Sequence, residues 1–456
     1  MLSLLEIAER SQKGPKVEEK AWDMGLFRKM SELVKKYEIA YPGQGVWFNT
    51  DAALVDRVFE AALEFLTTTG VYCVSTGRVI ELTRAEILQA VREAPTQVIM
   101  GEGRDQRVFK QHAIEGTEPL NFCPGHHAPF TEELAALVVK NFAQIPRTDF
   151  LEGFNMPAVD GREIFGMPLE VYATRRQMGW LREGIRKAGR PGLALVYYPI
   201  NTRAAVLLAA LDPGAGLRPT DGVLLSALPD VKMEHDLLAM ALVCQEYGCF
   251  GLSGSFALAG GFCGGVEGAI LEGVCKPLTA MLCYHDWIHY TGVEHVQALS
   301  ALKLLLQPFN WARSVVNQVL NTKTHTICMA WVIPTSGSGT ETALIETAIR
   351  SIEAPLNGAS LYAYRRSRAK MNAGQTPLEA EWMLEVADAT QRAGLTRATA
   401  TPLLWTLAEK LQGRVPEEGF PIQECYDLVH HRPSPAYERI YLEVKADLAR
   451  LGLAFP

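Results

Sequence analysis

The sequence lacks the features that would direct it to nucleic acid, to a membrane or to secretion. It has 44 lysines and arginines against 51 acidic residues, and this net charge of -7 leaves no broad basic surface for phosphates. No apolar run reaches the about 18 residues that a membrane-spanning helix needs. The opening MLSLLEIAER carries two glutamates and no basic segment of the kind that begins a signal peptide. We expect a mature cytoplasmic protein with no nucleic-acid or membrane partner.

The sequence also lacks a disulfide framework. Its nine cysteines stand singly, with no CxxC pair, and an odd number of them suits reduced, buried thiols. It contains no Gly/Ser linker, low-complexity tract or fixed-period repeat. We therefore predict a single domain over residues 1–456.

Three patterns follow one another along the chain. Residues 1–95 place apolar residues at spacings of three and four, which predicts an N-terminal helical extension. Residues 96–350 contain short apolar runs separated by amphipathic segments, as expected for strands covered on both faces. Residues 351–456 again favour helices. The α/β pattern predicts a (β/α)₈ TIM barrel with N-terminal and C-terminal helical extensions, and an open doubly wound sheet is the alternative.

Eight apolar runs are the predicted strands. For the first of them, a small hairpin outside the barrel is the alternative interpretation. The runs occupy residues 96–101, 120–125, 149–155, 192–199, 222–228, 249–256, 278–287 and 326–334.

The predicted strand ends carry polar and aromatic side chains, and in such barrels these ends hold the reacting groups. Part of this aromatic content is ordinary packing. For the adjacent His126 and His127, a polar loop is favoured over a ligand pair. The substrate-binding candidates at strand ends are Asn155, Tyr197, Tyr198, Tyr284 and Trp331.

The segment AGGFCGGVEG has five glycines within nine residues and ends in a predicted helix that begins near Glu267. It matches neither GxxxxGK[ST] nor a placed GxGxxG motif, so it does not indicate a phosphate site. Glu267 is either a catalytic acid or electrostatic anchor near the substrate, or a first-turn glutamate that the helix dipole favours.

The sequence HDWIH places His285 and His289 four residues apart, like the zinc pair of HExxH. The intervening Asp286 and the predicted strand before it argue against a metalloprotease. One interpretation is proton transfer by either histidine, or a metal site formed by Glu267, His289 and Cys263. The other is a polar lining of the barrel mouth.

Six motifs occur along the chain: GVYCVSTGRVIELTRAEI, GEGRDQRVF, the GRPG strand, AGGFCGGVEG, PTSGSGTE and QECYD. In matching order they resemble the monomethylamine:corrinoid methyltransferase family. This resemblance implies a (β/α)₈ barrel that passes a methyl group to the Co(I) of a corrinoid (cobalamin) carried by a separate protein. It also implies a homo-oligomer.

The resemblance also assigns individual residues. In that family the strand after GRPG carries pyrrolysine, whose electrophilic ring holds the amine, and here Val196 or Tyr197 takes its position. The family's active-site glutamate corresponds to Glu267, and an earlier glutamate corresponds to Glu234. A family glutamine has no clear counterpart around residues 329–331.

Relatives that lack pyrrolysine include methyltransferases of O-demethylase systems. We therefore expect a methoxylated aromatic substrate, with Glu267 as acid and Tyr197 and Tyr198 as walls for its ring. A methylamine or betaine donor and a non-catalytic binding barrel are the alternatives. Zinc is a further hypothesis, although the chain has no Glu-x₁₄-Glu-x₂₀-His pattern.

Overall fold

An eight-stranded parallel sheet forms the centre of the computed structural model, which describes residues 1–126, 128–154, 156–201, 203–254, 256–296, 308–362 and 373–456. Barrel strands 1 to 8 are Phe122–Cys123, Phe150–Glu152, Ala194–Tyr197, Gly222–Leu225, Phe250–Gly254, Ile288–Thr291, Ile327–Trp331 and Ser360–Tyr362. Strands 2 to 8 pair consecutively in parallel, and strand 8 pairs with strand 1. Between strands 1 and 2, the amide of Asp149 donates to the Phe122 carbonyl at 3.0 Å. The sheet therefore closes, and the predicted (β/α)₈ barrel is confirmed.

Alternate residues of each strand face the barrel interior. In barrel strand 3, Ala194 and Val196 belong to the interior apolar cluster, whereas Leu195 and Tyr197 belong to the outer core beneath the helices. All four residues are buried. Because both faces of the strand are covered, the sequence shows a continuous apolar run instead of an alternating one.

Helices surround the barrel and precede and follow it in the chain. Capping boxes begin several of them, as at Ser3 with Glu6 and at Thr83 with Glu86. Among the described residues, no helix has the length and apolar character needed to cross a lipid bilayer. The helices are Leu4–Lys13, Glu19–Lys36, Ala52–Thr69, Arg84–Glu93, Glu132–Ala143, Met167–Lys187, Ala204–Ala210, His235–Tyr247, Val266–Tyr284, Phe309–Lys323, Glu341–Leu356, Pro377–Arg392, Arg397–Leu411, Ile422–Cys425 and Pro435–Arg450.

Short strand pairs lie outside the barrel. One three-stranded sheet joins the N-terminal region to the loop after barrel strand 4. In this sheet Val71–Cys73 pairs with both Arg78–Ile80 and Lys232–Met233. The two-stranded pairs are Gln97–Met100 with Arg107–Lys110, Ala158–Val159 with Arg162–Glu163, Ala257–Ala259 with Val293–His295, and Tyr426–Asp427 with Arg432–Pro433.

Three of the sequence predictions about strands are corrected. The run at 96–101 forms a hairpin with Arg107–Lys110 and is not a barrel strand. The run at 278–287 is the last part of helix Val266–Tyr284 and the loop after it. Barrel strand 8 lies at residues 360–362, beyond the predicted barrel limit at residue 350.

The last part of helix Val266–Tyr284 was predicted as a strand because residues 278–284 are mostly apolar and all buried. All its residues from Gly268 onward are buried, between the sheet and the N-terminal helices. A short apolar run of this kind has the same composition whether it forms a buried strand or a buried helix. The true strand, Ile288–Thr291, follows the predicted one.

The hairpin at residues 97–110 closes the amino-terminal end of the barrel. Met100 and Phe109 are fully buried in the interior apolar cluster, beneath Phe150 and Ala194. The backbone continues the contact, because the Glu102 amide donates to the Gly192 carbonyl at 2.8 Å. The interior is therefore a packed core at this end.

Arg190 of the GRPG motif fastens this hairpin to the barrel. Its guanidinium donates to the Asp105 carboxylate at 3.0 Å and to the Thr148 carbonyl at 3.0 Å. The second Asp105 oxygen accepts from the Gly192 amide at 3.1 Å, and a Cβ on Gly192 would collide with the Glu102 carbonyl. The GEGRD and GRPG motifs thus meet at one buried ion pair.

We expect Arg190→Ala to lower the free energy of unfolding by about 3 kcal/mol, because it leaves the buried carboxylate of Asp105 without its cation. Urea unfolding followed by circular dichroism measures this change. Lys187→Ala is the matched control, since Lys187 pairs with Glu183 at the exposed surface and should change stability little. Equal effects of the two substitutions would contradict the role assigned to Arg190.

Candidate active site

The carboxyl-terminal half of the barrel interior holds a buried carboxylate, that of Glu152. Barrel strand 2 points Phe150 into the interior cluster, and Glu152 is two residues further on the same face. Its register partner in barrel strand 3 is Val196, which also faces inward. Glu152 is only 5% exposed. A carboxylate at this position lies where TIM barrels place their reacting groups.

The charge of Glu152 raises the pKa of three neighbouring side chains. Burial raises the pKa of Tyr362 well above its usual range, and the nearby charge of Glu152 raises it further. Burial and the same charge raise the pKa of Tyr290 and of the Cys123 thiol. These three groups are therefore neutral at physiological pH.

Four aromatic rings line the same part of the interior, and we call Phe256, Tyr290, Trp331 and Tyr362 the ring cluster. Tyr290 and Tyr362 stack with centroids 3.6 Å apart and planes 12° apart. Phe256 and Trp331 stack with centroids 4.2 Å apart and planes 10° apart. Trp331 joins the pairs, with its centroid 6.0 Å from that of Tyr290 and 5.8 Å from that of Tyr362. The rings form one continuous aromatic surface.

Two glycines allow the rings to lie so close to the backbone. A Cβ on Gly254 would come within 2.5 Å of the Tyr290 ring, and a Cβ on Gly292 would come within 2.6 Å of the Phe256 ring. Tyr290 is fully buried, and its ring packs directly against that of Tyr362.

His126 follows barrel strand 1 and is also buried. Its Nδ1 lies 2.8 Å from the Gln375 carbonyl and donates to it, which leaves Nε2 as an acceptor. Within the part of the chain that the structure describes, Nε2 has no partner. Burial lowers the pKa of His126 to about 4, so the ring is neutral at physiological pH.

The structure separates the two tyrosines that were predicted as substrate walls. Tyr197 points away from the interior, and its hydroxyl lies 3.0 Å from Thr174 Oγ1 in the surrounding helix layer. Tyr198 packs against the interior cluster, as does Trp331. The prediction for Tyr197 is wrong because strand alternation directs it outward, and the inward residue of the motif is Val196.

The histidines of HDWIH lie away from the barrel mouth. His285 is in the loop before barrel strand 6, at the amino-terminal end, and its Nε2 contacts the Leu2 carbonyl at 2.9 Å. Tyr284 ends the preceding helix. His289 alternates with the inward Ile288 and Tyr290 and therefore faces the helices, where burial and Lys276 lower its pKa to about 3. These positions follow from the helix that was taken for a strand.

The remaining predicted residues are dispersed. Glu267 is half-buried in the first turn of its helix, where Oε1 accepts from the Tyr41 amide at 3.3 Å. Cys263 donates to the Leu258 carbonyl at 3.1 Å, and Glu234 precedes helix His235–Tyr247 as its N-cap. Asn155 lies outside the described residues.

The predicted metal set of Glu267, His289 and Cys263 is not brought together. Over the described ranges, no group of three or more histidine, cysteine, aspartate or glutamate side chains is placed to hold a metal ion. The described positions of these three residues therefore do not fit the zinc hypothesis.

Two members of the site were missed from the sequence. Glu152 lies inside the apolar run DFLEGFN, and the only residue singled out there was Asn155 at its end. A charged residue within a strand that is buried on both faces is the signal that could have identified it. Tyr362 was missed because residues 351–456 were expected to be helical.

Comparison with known proteins agrees with this architecture. The family model described as "Monomethylamine methyltransferase MtmB" matches residues 2–453. The chain is 27% identical to MtmB2 of Methanosarcina acetivorans over 453 residues, covering 98% of this chain and 97% of that protein. It is 26% identical to MtmB1 of Methanosarcina barkeri with the same coverage.

The fold is shared with a solved structure. The crystal structure of the Methanosarcina barkeri monomethylamine methyltransferase superposes with a TM-score of 0.91 at 24% identity, covering 99% of this chain and 98% of that chain. Because the family model spans almost every residue, the protein belongs to the MtmB monomethylamine methyltransferase family, a family of methyltransferases.

Proposed function

We propose that this methyltransferase moves a methyl group from the nitrogen of a methylated amine to the cobalt of a cognate corrinoid protein, with Glu152 binding the nitrogen. The single observation that carries the proposal is the burial of Glu152 inside the barrel, beside Val196 and the ring cluster. Membership of the MtmB family, whose named relatives act on monomethylamine, supports the choice of an amine.

The chemistry explains why a carboxylate is useful at this position. The methyl carbon forms a bond to the cobalt of the methyl acceptor while its bond to nitrogen breaks, and the nitrogen keeps that electron pair. A cationic nitrogen leaves as a neutral amine, whereas a neutral amine would have to leave as a strongly basic anion. A nearby carboxylate favours the cationic form of the donor. Glu152 thus holds the nitrogen in its reactive charge state.

Val196 defines how the amine is held. Of the two residues that the resemblance assigns to the pyrrolysine position, it is the one that faces the interior, and an aliphatic side chain forms no covalent adduct with an amine. Non-covalent binding by Glu152 and the ring faces takes over that role. Tyr362, a neutral phenol, lies close enough for the charge of Glu152 to raise its pKa. The closed amino-terminal end leaves the carboxyl-terminal end as the side from which the corrinoid protein approaches.

A methoxylated aromatic is the second candidate donor, and the stacked ring pairs favour it. Such a substrate would stack on the ring cluster, whose two pairs form a continuous surface. Its leaving group is a phenolate, with a conjugate acid of pKa about 10. In this case Glu152 would act in its protonated form as the acid.

We expect methylated amines to methylate the cobalt and methoxylated benzoates to leave it unchanged. The assay mixes the protein with a corrinoid protein reduced to Co(I) and follows the change to methyl-Co(III) by absorbance. Transfer from methoxylated benzoates alone would replace the proposal by the second candidate. Binding of donors without any methylation would indicate a non-catalytic barrel.

We expect Glu152→Gln to lower kcat/KM by about 100-fold, the loss typical of removing a charged partner from a buried ionic contact. Glu163→Gln, in an exposed hairpin, is the matched control and should leave kcat/KM unchanged. Glu267→Gln tests the role that the resemblance assigns to Glu267, and we expect less than a threefold change. The steady-state rates would contradict our assignment if Glu267→Gln, and not Glu152→Gln, lost activity.

A further inference from the structure

We propose that a pocket at the amino-terminal end of the barrel binds a small carboxylate anion. The pocket lies at the opposite end of the barrel from Glu152, so its ligand is independent of the proposed methyl transfer. Its volume is about 200 Å³, below the about 300 Å³ at which sites for drug-sized ligands begin, so the ligand is small. The polar residues of its lining include Glu102, Arg182, Arg186, Asp212, Gly216 and Arg218.

The elements around the pocket all precede barrel strands. Helix Met167–Lys187 supplies Arg182 and Arg186 and ends before barrel strand 3. The loop at residues 211–221 leads into barrel strand 4. Glu102 belongs to the hairpin segment that closes this end of the barrel. The pocket is therefore separate from the interior that contains the ring cluster.

The buried guanidinium of Arg182 forms one wall of the pocket, with the residue only 4% exposed. Its Nε donates to the Gly216 carbonyl at 3.1 Å, and its Nη2 donates to the same carbonyl and to the Asp221 carboxylate. Nη1 is buried and has no acceptor within the part of the chain that the structure describes. A charged donor without an acceptor is costly to bury, and a carboxylate oxygen in the adjacent pocket supplies that acceptor.

The charges around the pocket favour a ligand with a single negative charge. Arg186, exposed in the last turn of its helix, adds one positive charge to a set of paired arginines and acids. One net positive charge therefore remains, which a carboxylate balances and a phosphate dianion exceeds. A carboxylate also matches the planar geometry of a guanidinium. The pairs are Glu102 with Arg218, Asp212 with Arg175, and Asp221 with Arg182.

The loop that carries Gly216 is fixed by its own hydrogen bonds. The Asp212 carboxylate accepts from the amides of Gly214 and Ala215 at 2.9 and 3.2 Å, and the Gly216 amide donates to the Asp212 carbonyl at 2.7 Å. A Cβ on Gly216 would come within 2.3 Å of the Ala210 carbonyl oxygen. The loop thus holds the Gly216 carbonyl against Arg182, and a site that is already formed loses little entropy on binding.

One ion pair connects the pocket to barrel strand 3. Asp221, the partner of Arg182, is fully buried, and its second oxygen accepts from the Leu195 amide at 2.8 Å. The Arg218 amide donates to the first oxygen at 2.7 Å. A ligand bound by Arg182 therefore contacts a group that exists in this form only in the folded chain. Its binding should stabilise the native protein in proportion to ligand concentration.

Titration calorimetry at low ionic strength tests the site with propionate, propionamide and inorganic phosphate. Propionate should bind, and propionamide, its uncharged analogue of the same shape, should bind about tenfold more weakly or less. The Tm should rise with propionate concentration and stay constant with propionamide. Absence of propionate binding, or tighter binding of phosphate than of propionate, would overturn the inference.

Variants locate the bound propionate. Arg182→Lys keeps a positive charge beside Asp221 but removes Nη1, and should weaken propionate binding about tenfold. Arg186→Gln removes the excess charge and should also weaken it. Arg176→Gln, at an exposed arginine of the same helix, is the matched control and should leave binding unchanged. Thermal unfolding shows whether each variant is folded, and unchanged propionate binding by folded Arg182→Lys and Arg186→Gln proteins would contradict the assigned site.

Discussion

The closed barrel leaves each strand residue only two directions, into the interior or toward the helices, and the arrangement of the site depends on this constraint. It places Glu152 and Val196 side by side on the inner surface and turns Tyr197 into the helix layer. The same alternation brings Tyr290 inward and sends His289 outward. A shift of one residue in any strand would exchange its inward-facing and outward-facing side chains. The strand register therefore determines which side chains line the barrel interior.

The motifs that carry the family resemblance mainly fix the positions of backbone loops at the ends of the barrel. GEGRD and GRPG meet through Asp105 and Arg190 at the amino-terminal end. In the PTSGSGTE region, the buried Glu346 accepts from the amides of Thr335 and Ser336, at 3.0 Å each, and fixes the loop after barrel strand 7. These contacts hold the backbone of loops at both ends of the barrel, in a chain that is 27% identical to a relative.

The barrel was predictable from the sequence because strands that are covered on both faces leave continuous apolar runs. That signal identified most of the strands, and it failed for helix Val266–Tyr284, which is buried on every side. The site was less predictable. Trp331 and Tyr198 were expected from their positions at strand ends, but Glu152 was passed over because it interrupts an apolar run without any local motif. The ring cluster combines residues from separate strands and loops, and no spacing along the chain reveals that they stack.

By itself, the sequence determined the fold class, the family resemblance and the absence of an electrophile after GRPG. Those properties can be inferred from composition, periodicity and local motifs, because each of these depends only on residues close together in the chain. Only the tertiary structure decided that Val196 and not Tyr197 faces the interior, that Glu152 is the buried carboxylate beside it, and that the histidines of HDWIH lie elsewhere. Those outcomes depend on strand register and barrel closure, which join residues far apart in the chain, and closure assigns each side chain to one face.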